Sequence, residues 1–242
     1  VEGVRAEDNR VHGIAFLGGA RRGRVRSTYV TGAGEAGIAV KNCSSCDVSL
    51  DRVTAVANTA GYWGTNAGAV TITRSRFERN RAGVIVATSV AEASAPQAGT
   101  HLWGSTIADN NDRTVTRRGA AATLDVPRGV GVWIAGGWFD VVEANTVSGH
   151  DRYAIVASWH GTPAMANRIV RNTVHTSGAA DLAWDGIGAG TCFGGNAGPD
   201  GGEPTSVPPQ IQAVYDCALP ATVGVPVPTV TTELLLASAT RS

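Results

Sequence analysis

Charge of either sign is in short supply here: 20 Lys and Arg cancel 20 Asp and Glu, and charged residues make up only 17% of the 242. Recognition of nucleic acid needs a positive excess, so no nucleic-acid partner is expected. No apolar run approaches the roughly 20 residues that span a bilayer, which argues against a membrane span. The chain does not start with Met and shows no leader; it reads either as a chain from which a leader and further coils were removed, or as a fragment. The Gly-Lys-Ser/Thr phosphate loop, the His-Glu-x-x-His zinc motif and the Gly-x-Ser-x-Gly nucleophile elbow are all missing. Gly32-Ala-Gly34-Glu35-Ala-Gly37 satisfies a dinucleotide fingerprint, but the strand-like Ile38-Ala39-Val40 follows where a helix would have to begin.

What the chain does have is glycine, 31 of them, and a repeat. Val48 to Gly61 superimposes on Val70 to Gly83 at an offset of 22, with Val, Arg, Asn, Ala and Gly recurring in place and Ile72 answering Leu50. A unit this short cannot bury its own apolar face and must stack on neighbouring copies. Short apolar strands open at Gly13, Gly37, Gly61, Gly83, Gly131 and Tyr153, at spacings of 24, 24, 22, 48 and 22. The long gap is two coils, or one coil with insertions. A second set of Val/Ile-rich strands lies between them at Val48 to Leu50, Val70 to Ile72, Val141 to Val142 and Ile169 to Val170, a β signal rather than a helical one. Asn58, Asn80, Asn145 and Asn172 fall where the chain must turn, and Asn tolerates left-handed backbone angles and bonds its own backbone.

These N-x-x-G-hydrophobic turns and Val/Ile strands resemble the right-handed parallel β-helix repeat family, the superfamily that includes pectate lyases, over roughly residues 4 to 196. The resemblance implies an all-β fold, a right-handed parallel β-helix over residues 1–196, followed by a Pro-rich extended tail over 197–242. It also implies a secreted or cell-surface protein directed at a polysaccharide, as lyase, epimerase or hydrolase. A non-catalytic carbohydrate-binding module and a structural or assembly component are the alternatives. No cofactor is required by this reading, and calcium is the one ion that suits the oxygen-rich Asp109-Asn110-Asn111-Asp112, whose placement turn chemistry also explains.

Cys43 with Cys46 and Cys192 with Cys217 form two suggestive pairs, read as structural disulfides with free thiols as the alternative. In the tail, Ile211, Val214, Tyr215, Leu219, Val223, Val225 and Val227 are too apolar for a solvated linker, so it is expected to lie along the solenoid as a strap. Two insertions, 87–100 and 112–129, the latter carrying Arg113, Arg117, Arg118 and Asp125, are expected on a binding face.

Strand alternation sharpens the functional question. If Ile14, Ile38, Val84, Val132 and Ala154 point inward, Ala15, Ala39, Trp63, Ile85, Trp133 and Ile155 form an outward apolar column. Such a ladder is either covered by the insertions or tail, or offers a surface for sugars, a protein partner or self-association. Polar candidates gather in later coils: His150, Asp151 and Arg152 before one strand, Trp159 and His160 after it, and Trp184 with Asp185 one coil on. The chemistry of lyases and epimerases of this superfamily needs a base for the C5 proton and a cation for the uronate carboxylate. On that reading His150 or Arg152 is the base and Asp151 or Asp185 orients it or holds calcium. Trp63, Trp133, Trp159, His160 and Trp184 are the substrate-binding candidates.

Overall fold

A computed structural model of the chain describes residues 1–118 and 126–239. It is a parallel β-helix of about eight turns. Each coil contributes one strand to each of three parallel sheets, entered in the order first, second, third. The first sheet has eight strands: His12–Leu17, Ala36–Cys43, Ala60–Ala67, Ala82–Ala87, Val130–Ala135, Tyr153–Ser158, Ala180–Trp184 and Ser206–Val207. The second has seven, from Arg24–Arg26 through Val48–Asp51, Val70–Thr73, His101–Trp103, Val141–Glu143 and Arg168–Val170 to Cys192–Gly194. The third has seven, from Arg5–Glu7 to Thr173–Ser177.

The repeat read from the sequence is the stacking register: Val48 faces Val70 and Leu50 faces Ile72. Val84 pairs with Val132, so the 48-residue gap is a single coil carrying both insertions. Ile14, Ile38, Tyr62, Val84, Val132, Ile155 and Leu182 stack in one column that lines the core. This moves one expectation by a residue. Tyr153 aligns with Val130 rather than with Gly131, so Ile155 points in and Val156 takes the outward place. A one-residue slip exchanges the faces of a strand, so the sequence spacing could not settle that coil.

Three corners hold the coils together through stacked side chains. Where the third sheet turns into the first, the Asn58 N–H donates to Asn80 Oδ1 at 2.9 Å and the Asn80 N–H to Asn110 Oδ1 at 3.0 Å. Between second and third sheets the sequence is Ser75, Ser105, Asn145, Asn172, Asn196 and finally Gln212. Between first and second it is Thr100, Asp140, Asn167 and Thr191. The left-handed residues at these bends are the ones before the asparagines, Ala57, Arg79, Ala144 and Arg171, with φ of 55, 50, 52 and 55°. The asparagines are needed for their amides, which satisfy buried backbone groups of the adjacent coils. The N-x-x-G spacing follows. A Cβ at Gly61 would sit 3.0 Å from Asn80 Nδ2 and 2.8 Å from the Gly83 carbonyl, so only glycine lets the next rung close.

The tail does two things. Ile211 and Tyr215 plug the end of the core, where Tyr215 meets Trp184 edge-on at 4.8 Å and the Cys192–Cys217 disulfide closes the cap. Then a helix at Pro228–Ala239 places Val230 and Leu234 over the outer face of the first sheet. The prolines only forbid a helix interior; Pro228 stands in the first turn, where its missing N–H costs nothing. Val214, Leu219, Val223 and Val225, read as strap contacts, are at least half exposed. Cys43 and Cys46 also form a disulfide.

Candidate functional site

The outward apolar column exists, and the chain covers it. Trp63, Ile85, Trp133, Val156 and Ala183 form a second hydrophobic cluster with Val126 from the long insertion and Val230 and Leu234 from the terminal helix. Trp63 and Trp133 are 5% and 7% exposed, so the tryptophans of the column are covered, while Ala15 at its first rung stays exposed. Asp125 lies outside the described residues.

Where the strands of the first sheet end, a cleft of about 240 Å³ remains open. Its floor is the edge of Trp63 with Thr65 and Ala87. One wall is the 88–92 segment, pinned by Asn66, whose Nδ2 donates to the Ser89 and Ala93 carbonyls. Asn42 Nδ2 also donates to Glu92 Oε2 at 2.8 Å. The other walls are Lys41 and the tight His160–Gly161 turn. His160 packs edge-on against Trp133 with ring centroids 5.3 Å apart, and Trp133 is itself fixed by its Nε1–H donating to Ser158 Oγ at 2.8 Å.

Lys41 is the only lysine in the chain. Its ammonium is paired with the buried carboxylate of Glu35 and lies 5.2 Å from the centre of the Trp63 ring. His12 Nε2 is 3.7 Å from the same carboxylate. Burial holds the His12 pKa below its ordinary value of 6.5, with Glu35 pulling it up and Lys41 pushing it down, so His12 is neutral at pH 7. The cluster therefore places the Lys41 ammonium at the cleft with the buried Glu35 carboxylate behind it, and the two charges offset each other.

The four acid–base candidates are not brought together. His150 is 2% exposed and occupies an asparagine slot in a corner ladder, where its Nε2 accepts from Asn110 Nδ2 at 3.2 Å. Burial pushes its pKa down to about 3. Asp151 pairs with Arg128 at 2.5 Å on the outer edge, and Arg152 pairs with Glu233, tying down the terminal helix. Asp185 is buried, accepting the N–H groups of Trp159 and Ile187 at 2.6 and 2.9 Å, and burial raises its pKa. Among the aromatic candidates, Trp63 and His160 line the cleft, Trp133 is buried against His160, and Trp159, next to His160 in the chain, is exposed. Trp184 pairs with inward Ala157 and is buried in the core. In the Asp109–Asp112 run, Asn110 is a ladder rung, Asn111 bonds Gly149 and Asp151, and Asp112 closes a turn onto Thr114. No cluster of three His, Cys, Asp or Glu suited to a metal occurs among the described residues.

Lys41, Glu35, Glu92 and His12 were missed by the sequence reading. A lone lysine at the end of a strand was the available signal, and part of the 87–100 insertion lines the cleft.

No family model matches the chain, and no curated protein matches it. Among solved structures the fold is similar to the A-module of the mannuronan C-5 epimerase AlgE4 from Azotobacter vinelandii, with a TM-score of 0.58 and 14% identity. The match covers 83% of this chain and 54% of that one, so this chain spans about half the length of that relative. At this identity the likeness is one of fold.

Proposed function

We propose that the cleft on the first sheet binds a uronate unit of an acidic polysaccharide and acts on it in an extracellular setting. The observation that carries this reading is the lone Lys41, held by Glu35 over Trp63 and facing His160 across a cleft the size of one sugar ring. An ammonium placed there neutralises a uronate carboxylate, and that neutralisation makes the C5 proton easier to remove. His160, which lines the cleft, takes that proton in this reading. Trp159, exposed next to His160, gives flat apolar surface to the sugar C–H face. The fold neighbour acts on mannuronan, a polymer of this chemical class. Two disulfides fit an oxidising compartment, and no described helix is long and apolar enough to cross a membrane.

The test is incubation with polymannuronate, polyguluronate and polygalacturonate, following ultraviolet absorbance for elimination and C5 configuration by NMR for epimerisation. Lys41→Met and His160→Ala are each expected to lower turnover about 100-fold or more. Wild-type protein that neither binds nor alters any of the three polymers, or variants that match it, would overturn the proposal.

A further inference from the structure

The outer face of the second sheet is open, and its charge is not balanced. Reading across the coils, one column runs Arg24, Ser49, Thr71, His101, Val141 and Arg168, and the next runs Arg26, Asp51, Thr73, Trp103, Glu143 and Val170. Bordering them at the turn into the third sheet stand Arg52, Arg74, Gly104 and Arg171. Asp51 is one carboxylate among three guanidiniums, at 3.6 Å from Arg26, 3.4 Å from Arg52 and 2.7 Å from Arg74. Arg171 pairs with Glu143, while Arg24 and Arg168 are exposed and have no ion-pair partner among the described residues. Six arginines thus face two carboxylates in a protein whose net charge is zero. The third sheet behaves differently, its Arg5 and Arg76 each being paired two residues along the same strand with Glu7 and Glu78.

Trp103 stands in the middle of this strip and is 42% exposed. Gly104 beside it leaves open space, with nothing within 4 Å of where a Cβ would lie. Among the described residues of the terminal helix and the insertion, Val230, Leu234 and Val126 all lie over the first sheet rather than over this strip. Coils are stacked about 4.8 Å apart. Arg74 is therefore one rung from Trp103 on one side, and Arg168 and Arg171 are two rungs away on the other.

We propose that this strip is a second, non-catalytic binding surface for an acidic polysaccharide, which lies parallel to the solenoid axis with one ring on Trp103 and carboxylates at the arginines on either side. A linear glycan fits the arrangement because its ring-to-ring advance is close to the coil spacing, so successive carboxylates meet successive rungs. Guanidinium is suited to this role, since its planar fork engages a carboxylate through two N–H groups. The single exposed indole favours a sugar face over a nucleic acid, which would need several stacking platforms along its path. The ligand class is shared with the proposed function, but the strip occupies a different sheet and does not depend on turnover at the cleft.

The experiment is calorimetric titration of the full chain with polymannuronate, polygalacturonate, neutral dextran and single-stranded DNA across a salt series. Four proteins are compared: wild type, Trp103→Ala, Arg168→Ala with Arg171→Ala, and Arg76→Ala on the third sheet. Expected is salt-sensitive polyuronate binding that Trp103→Ala and the arginine pair each weaken about tenfold, while Arg76→Ala leaves polymer affinity within about twofold. Trp103→Phe should restore most of the loss, and turnover of short uronate oligomers should be unchanged by Trp103→Ala. Equal binding by wild type and Trp103→Ala overturns the strip, as does DNA binding that is tighter than polyuronate binding and equally dependent on Trp103. Inactivity at the cleft with a Trp103-dependent affinity intact would sink the cleft reading alone.

Discussion

Two corners of the solenoid use the same slot with different chemistry. Between the second and third sheets the stacked side chains are all neutral, running from Ser75 to Gln212, and each rung both accepts and donates. Between the first and second sheets Asp140 stands where its neighbours have an amide or hydroxyl. Its Oδ1 accepts the Thr100 N–H at 2.7 Å, but Oδ2, in the place where Asn167 keeps a donating Nδ2, has no partner among the described residues. An ionised carboxylate has nothing to donate, and a protonated one has. Burial raises the Asp140 pKa to about 7, against the pull of the Thr100 N–H and Gln97. Identical geometry therefore gives one corner a pH-independent contribution to stability and another a titrating one.

The comparison is tested most severely on the neutral side. Asn172 accepts from the N–H and Nδ2 of Asn145 and donates to Asn196 Oδ1 and the Val142 carbonyl. Asn172→Ala strands these buried partners together and is expected to cost about 5 kcal/mol, several times an ordinary hydrogen-bond deletion. The urea midpoint measures it. A loss near 1 kcal/mol would mean that water replaces the rung and that the ladder is not a stability device.

On the titrating side, Asp140 and His150 pull in opposite directions. Between pH 4 and 7 the folded chain keeps a proton on Asp140 that the unfolded chain releases, so this term weakens the fold as pH rises. Between pH 6.5 and 3 the unfolded chain protonates His150 while the folded chain does not, so this term weakens the fold as pH falls. The two slopes cancel from about pH 4 to 6.5. Each spans a shift of about 3 units, or roughly 4 kcal/mol at full extent. Asp140→Asn should stabilise by about 3 kcal/mol at pH 8 and by almost nothing at pH 3.5. His150→Asn should remove much of the acid lability. Thermal midpoints from pH 3 to 8 for the two variants and the double variant decide it, and parallel profiles for wild type and Asp140→Asn would refute the assignment.

The ladders also show what could be read in advance. The coil spacing, the strand faces and the N-x-x-G unit were legible because stacking forces like residues into the same column at a fixed interval. The asparagines were found, though for the wrong bend residue, because tolerance of a left-handed backbone and use of an amide donor leave the same mark in sequence. His150 looked like a catalytic base since a polar cluster along the chain does not reveal which members face the core. The cleft stayed hidden because Glu35 and Lys41 come from one coil and His160 from another more than 100 residues further on, and only the folded register brings them to one edge.

The smallest effect concerns how the neutral ladder ends. Its last rung is Gln212, whose Oε1 accepts the Asn196 N–H at 2.8 Å and whose Nε2 donates to the Asn196 carbonyl. Gln212 sits on the segment closed by the Cys192–Cys217 disulfide, a loop with a sequence separation of 25. Cys43–Cys46, with a separation of 3, closes a far shorter one. In the chain-entropy account the longer loop stabilises by about 3.5 kcal/mol and the shorter by about 2 kcal/mol. Paired Cys→Ser changes at each site should differ by about 1.5 kcal/mol on this ground alone. If the cap also keeps Gln212 on the ladder, breaking Cys192–Cys217 should in addition speed amide hydrogen exchange at Asn196 and Asn172 while leaving Asn80 protected. A longer-loop variant that loses stability with unchanged exchange at Asn196 would show that the rung holds itself, and that the disulfide acts only on the unfolded chain.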